Sequence, residues 1–181
     1  RRPFGFLDHN LRSGDSLLGI TDLKQIMHLH IDPERGKKIH RGLFNKYKDI
    51  EKALNTAIKK RQALREIPIL DIEDVKRMKQ LDSEAHELLK VPELVADVVV
   101  GEALAAESEQ KLDEKMKVRA MESARYIEGD LTARLMLESE AKQCLNIDKP
   151  IQISNRSPFH WALEFPEVFD KEIGGFHAVV G

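Results

Sequence analysis

The apolar positions of this chain change their period twice, and the changes divide it into three parts. Near the start, Leu7, His9 and Leu11 alternate with Asp8, Asn10 and Arg12. A period of two puts alternate side chains on opposite faces of an extended chain, so this stretch predicts a short strand. Gly14 then permits a sharp turn. Asp15 or Ser16 is placed to cap a helical turn, and Thr21 followed by Asp22-Leu23-Lys24-Gln25-Ile26-Met27 has the pattern of a helix start.

Over residues 32–145 the period lengthens to that of a helix. Asp32-Pro33-Glu34 is a cap followed by proline at the first helical position. Leu43, Tyr47, Ile50, Leu54 and Ala57 are spaced as a heptad seam. A continuous helix over 34–65 would be about 48 Å long, and Pro68 is expected to stop it. Asp71 is expected to cap the next helix, whose inner face carries Val75, Met78, Leu81, Ala85 and Leu88, and Pro92 to end it. Residues 94–105 are apolar nearly all round and predict the most buried helix, with the run Val98-Val99-Val100 leaving a strand as the alternative. The last pattern starts at Ser108 and runs through Leu112, Met116, Ala120, Ala124, Ile127, Leu131 and Leu135 to Leu145. Gly129-Asp130 should kink or divide it.

Residues 146–181 lose the helical period. Pro150, Asn155 and Pro158 predict a loop. The segment around Phe159, Trp161, Phe165 and Phe169 holds most of the large aromatics, and Pro166 interrupts it, which predicts a helix, a bend and an aromatic plug. Gly174-Gly175 predicts a turn, and Phe176-His177-Ala178-Val179-Val180 a buried strand. The expected architecture is mostly α by content, with a large helical insertion (32–145) between two strand-bearing segments (1–31 and 146–181).

Composition narrows the function. The 29 Lys and Arg against 31 Asp and Glu give a formal charge of −2, which excludes a freestanding polycation but not a local nucleic-acid face. Charged residues at 33% with aromatics at 6% suit long solvated helices better than a β-sandwich. The single cysteine, Cys144, excludes a disulfide framework and a multi-cysteine zinc site, and fits a reducing, cytoplasmic compartment. No signal peptide opens the chain and no stretch approaches the ~20 apolar residues of a membrane helix, so no membrane partner is expected.

Few residues offer chemistry by themselves. Gly14-Asp15-Ser16 follows the first expected strand, where an acid can accept hydrogen bonds from a ligand's amino or hydroxyl group; on local chemistry alone a plain turn with a helix cap, which is far commoner, explains it better. None of the seven histidines has metalloprotease spacing, and no metal site is expected. Cys144 has no histidine placed to activate it. The basic run Lys37, Lys38, Arg41, Lys46, Lys48, Lys52, Lys59, Lys60 and Arg61 could meet phosphates, or be the solvated back of an amphipathic helix. The Trp161 cluster could stack bases, or pack internally.

The two ends carry a further signal. His9-Asn10-Leu11-Arg12-Ser13-Gly14-Asp15-Ser16-Leu17-Leu18-Gly19 resembles a segment of large bacterial DNA adenine-N6 methyltransferases, the S-adenosyl-L-methionine-dependent enzymes of type IIG restriction–modification and related phage-defence systems. Phe159-His160-Trp161-Ala162-Leu163-Glu164-Phe165-Pro166-Glu167-Val168-Phe169 is similar to a second segment of that group. Gly175-Phe176-His177-Ala178-Val179-Val180-Gly181 is similar to a third, with His177 where the family usually has Asp. The three segments stand in the family's order and cover about a quarter of the chain, and the helical middle fits the family's long insertion. The resemblance implies a partial α/β, Rossmann-like methyltransferase fold. It implies that Asp15 bonds the cofactor's adenine amino group, with Ser16 and Leu17 lining the same pocket, and that double-stranded DNA is the substrate, its target adenine flipped out of the stack. In the family an Asn-Pro-Pro-aromatic loop, which grips that adenine, follows the third segment. The expectation is therefore an internal piece of a longer enzyme, with no catalytic residue of its own, inactive alone and weak at most in cofactor binding. The rival readings are a noncatalytic helical module that dimerises through its heptad seam, and a nucleotide-binding α/β protein of another chemistry. Neither oligomeric state nor the DNA sequence recognised is legible.

Overall fold

A computed structural model describes residues 11–42, 47–68, 71–150, 154–169 and 175–178. Eight helices follow one another among them: α1 (Leu23–Met27), α2 (Pro33–Ile39), α3 (Lys48–Glu66), α4 (Ile72–Ala105), α5 (Glu109–Ile127), α6 (Leu131–Leu145), α7 (Trp161–Glu164) and α8 (Pro166–Phe169). Side-chain caps start most of them. Asp22 caps α1 and Asp71 caps α4, each in a reciprocal capping box; Asp32, Ser108 and Asp130 cap α2, α5 and α6.

Helix α4 is the centre of the packing. Its 34 residues run alongside α3 and α6, and α1, α5 and α7 also rest on it. Its Val95, Ala96, Val98 and Val99 are at most 1% exposed, as the all-round apolar pattern of residues 94–105 predicts. The valine run is helical, not extended. The seam of α3 is spent on the same core: Tyr47, Ile50, Leu54 and Ala57 are all buried, while Leu43 lies outside the described residues. Tyr47 also donates its hydroxyl to the Ala120 carbonyl at 3.3 Å, and burial raises its pKa.

Several expectations are corrected. The two-stranded, Rossmann-like α/β architecture is not found: the described residues contain no strand and no sheet, and only the mostly-α content stands. A strand needs a neighbour to take its ladder hydrogen bonds. The sole β pairing among the described residues is an isolated parallel bridge between Asp15 and Pro158. Leu11 and Arg12 are irregular; Arg12 turns to acidic partners instead, reaching Asp82 at 2.8 Å and Glu164 at 3.0 Å. Phe176, His177 and Ala178 are irregular and exposed; Leu7, His9, Gly174, Val179 and Val180 lie outside the described residues. The single helix expected over 34–65 is two, α2 and α3. Pro92 sits buried inside α4 without ending it, because both halves of α4 are held against neighbouring helices. Leu131 and Leu135 are 69% and 65% exposed, although they continue the apolar series of α5. The break at Gly129 resets the helical phase, and Ala133, Leu137, Ala141 and Leu145 face inward instead. No helix among the described residues is long and apolar enough to cross a membrane.

The α1–α2 corner buries histidines. His40 is 3% exposed, and burial pushes its pKa below the ordinary 6.5, against a hydrogen bond to the Leu29 backbone that acts the other way. Burial also lowers His28, with Lys37 adding to the effect. A histidine lowered on folding binds fewer protons in the folded state between its folded pKa and its unfolded value near 6.5. Its neutral form stabilises the fold fully above that value, and the contribution is lost as pH falls below it. The urea midpoint is therefore expected to drop between about pH 7.5 and about pH 5.5, with the His28 and His40 ring protons titrating below 6.5 by NMR. A flat midpoint over that range would refute the assignment.

Candidate functional site

Gly14-Asp15-Ser16-Leu17-Leu18-Gly19 lies backbone to backbone against residues 157–160. Asp15 N–H donates to the Ser157 carbonyl at 2.7 Å, and Phe159 N–H reaches the carbonyls of Leu18 at 2.7 Å and Asp15 at 3.1 Å. The approach leaves no room for a side chain at Gly19 and little at Gly14. A Cβ on Gly19 would stand 2.1 Å from the Phe159 carbonyl oxygen, and Gly19 has φ +147°, which L side chains rarely adopt. A Cβ on Gly14 would meet the Phe159 side chain at 3.1 Å.

Between the glycines the chain makes a tight turn. Leu18 N–H donates to the Asp15 carbonyl at 3.0 Å, and the Asp15 side chain takes the Leu17 N–H on Oδ1 at 3.1 Å. This is an Asx-type turn, which holds the carboxyl at the tip. Asp15, Ser16 and Leu17 are all exposed, Leu17 at 94%. The structure thus brings the three expected site residues together on one solvent-facing turn. Among the described residues no donor reaches Oδ2 of Asp15.

Trp161 and His160 hold the turn from behind. The Trp161 indole N–H donates to the Ser16 carbonyl at 3.1 Å. The Trp161 ring meets Phe159 edge-on with centroids 4.7 Å apart and Phe176 at 5.8 Å. Phe176 also contacts Phe165 and Phe169 in the same edge-to-face manner, so the expected aromatic plug forms, as an exposed-edged cluster and not as a layer against a sheet. The turn and Phe176 therefore rest on the same indole. His160, 5% exposed, takes the Ile20 N–H on Nδ1 at 3.3 Å and places Nε2 3.0 Å from Asp97 Oδ1 on α4.

Behind this joint lies a cavity of about 510 Å³ whose wall includes Ser13, Glu93, Asp97, Pro158, His160 and Glu164. Asp15, Ser16 and Leu17 do not line it. Burial, reinforced by Glu164, raises the Glu93 carboxyl above the usual range. Arg12 and Glu164 lie within the two quoted segments, whereas Asp97 has no motif that marks it in sequence. The available signal for Asp97 is an acid interrupting an apolar helix, since such a group needs a partner.

Several other charged groups are committed to the fold. Arg61 of the basic run is turned inward, 3.3 Å from Asp82 and 5.9 Å from the Phe165 ring centroid. Lys60 pairs with Glu84, whereas Lys37, Lys38, Lys48, Lys52 and Lys59 are exposed, and Lys46 lies outside the described residues. Glu102, Glu140 and Cys144 bring possible ligand atoms within 4.8 Å of one another, but Arg119 already bonds both carboxylates at 2.6 Å, where a cation would stand. Burial, with Glu102 and Glu140, raises the Cys144 thiol, which is the opposite of activation.

Gly19→Ala is expected to open the joint: the alanine is strained at this φ and collides with backbone that has no flexible end to move. The Trp161 fluorescence, from the only tryptophan, should shift towards that of solvated indole, and the chain should lose about 2 kcal/mol or more of stability in urea unfolding. Wild-type emission and midpoint in this variant would show that the joint is not formed. Comparison with family models, curated proteins and solved structures finds no match for this chain.

Proposed function

We propose that this chain is part of an S-adenosyl-L-methionine-dependent DNA adenine-N6 methyltransferase of the restriction–modification or phage-defence kind. The resemblance of three ordered segments is its basis. The observation that carries it further is the spatial one: the first segment and the second are interlocked through Gly14, Gly19 and Phe159, and Phe176 of the third rests on the Trp161 that holds Ser16. Segments far apart in sequence serve one site only if folding brings them together.

In this reading the turn at residues 15–17 forms one side of the cofactor pocket. Asp15 accepts a hydrogen bond from the exocyclic amine of the cofactor's adenine on Oδ2, and Leu17 supplies an apolar surface to the base. The reaction moves the sulfonium methyl to the exocyclic nitrogen of a target adenine in double-stranded DNA, with the S–CH3 bond breaking and the nitrogen losing a proton. Orientation of the two reactants supplies much of the rate. No residue of this chain is assigned a catalytic role, and its contribution is to bind and orient the cofactor. The exposed lysines of α2 and α3 are available to phosphates. The rival dimer module loses its main support, because the seam on α3 is buried within the chain.

The test is Asp15→Ala in the full-length protein that carries this chain. S-adenosyl-L-methionine affinity, measured by calorimetry, is expected to fall about tenfold to a hundredfold, the worth of a hydrogen bond to a charged group. The melting temperature should fall only slightly, because the side chain is exposed and gives up one hydrogen bond, from Leu17 N–H. Unchanged affinity would remove Asp15 from the site and this reading with it.

A further inference from the structure

The turn at residues 15–17 is not held by its immediate neighbours alone. Backbone N–H groups only donate, so the bond from Ile20 N–H requires a lone pair on Nδ1 of His160. The neutral ring then carries its proton on Nε2, directed at Asp97 Oδ1 3.0 Å away. With both ring nitrogens engaged and the side chain buried, a ring flip would break both bonds. His160 therefore has one orientation, and Asp97 selects it, as a carboxylate selects the tautomer of an imidazole elsewhere. The residue after His160 is Trp161, whose indole N–H holds the Ser16 carbonyl. A continuous path of hydrogen bonds and one peptide link thus runs from α4 to the turn: Asp97, His160, Trp161, Ser16. A second branch runs from His160 to Ile20, one residue beyond Gly19.

We infer that Asp97 and His160 are positioning residues for the turn carrying Asp15, Ser16 and Leu17, so that helix α4 sets where the cofactor-side turn stands. The inference rests on the cofactor reading above and goes beyond it by assigning a role to the helical insertion. Neither side chain touches the Asp15 carboxyl. They act through the backbone of Ile20 and the indole of Trp161. The Asp97 side chain is one-third exposed to the cavity, at 33%, so its removal takes away a bond and little packing.

The experiment compares Asp97→Ala, Asp97→Asn and His160→Asn in the full-length protein that carries this chain, with Asp15→Ala as control. Asp97→Ala is expected to weaken S-adenosyl-L-methionine binding about tenfold. It should also move the nitrogen–proton NMR cross-peak of the Trp161 indole towards its solvent-exposed position. Asp97→Asn keeps an oxygen that accepts from Nε2–H and should restore both readouts. A merely structural loss would not be repaired by so small a change. His160→Asn keeps an acceptor near the Nδ1 position but loses the bond to Asp97, and should match Asp97→Ala. Wild-type affinity in Asp97→Ala while Asp15→Ala binds weakly overturns the inference and leaves the cofactor reading in place. Equal damage in Asp97→Asn and Asp97→Ala overturns it as well. A wild-type protein that binds no S-adenosyl-L-methionine overturns the cofactor reading and the inference together.

Discussion

The close contact of Gly19 with the Phe159 carbonyl is the constraint on which the rest of the site depends. Only hydrogen fits there, and only a residue free of the Cβ penalty sits easily at that φ. Two kinds of force meet at this joint. Ile20 and Leu163, on either side of it, are fully buried in the main hydrophobic cluster. Each such side chain contributes about 1.5–3 kcal/mol. A single backbone hydrogen bond contributes about 0.5–1.5 kcal/mol net. Burial therefore holds the segments together, while the bonds from Asp15, Phe159 and Trp161 decide their register.

The helices were legible where pattern and cap agree. Asp32, Asp71 and Ser108 stand at the starts that the pattern predicts and cap their helices. Pro68 follows shortly after the end of α3, and Gly129 with Asp130 divides α5 from α6. Misreadings have a common physical origin: local preference was overridden by the surroundings. Proline is a poor interior helix residue, yet Pro92 is carried by the packing of α4. Alternation at residues 7–12 and β-branched residues at 176–180 express a strand preference, but a strand exists only as a pair. The described parts of both segments find other partners, Arg12 in Asp82 and Glu164, and Phe176 in three aromatic rings. Within the site, the turn at Gly14-Asp15-Ser16 was legible from glycine and acid side by side. Asp97 and His160 were not paired, because 63 residues separate them and no local rule links them.

Acids in apolar helices are the most informative residues that simple periodicity passes over. Glu102 interrupts the apolar stretch of α4 and is 4% exposed. It meets Arg119 of α5, which also bonds Glu122 on its own helix and Glu140 of α6. Burial alone would lower the Arg119 pKa, but the surrounding carboxylates raise it. Such a cluster adds little net stability over an apolar core, whereas breaking it strands a buried charge at a cost of about 3–5 kcal/mol. Its effect is to set the relative position of three helices. Asp97, one turn and a residue earlier on α4, does the same for the two ends of the chain.

These placements make the helical middle more than a spacer. One hydrophobic cluster takes Ile20, Ile26 and Leu29 from the first part of the chain, Val95 and Val99 from α4, and Leu163 from the last part. Both end regions thus share one apolar cluster with α4, and Asp97 bonds His160 between them. Without α4 the first and last segments would keep their glycines and their aromatic rings but lose the surface that makes their close approach favourable. The joint at Gly19 is therefore a property of three regions together, and the part of the sequence that carries no motif is what holds the motif-bearing parts against each other.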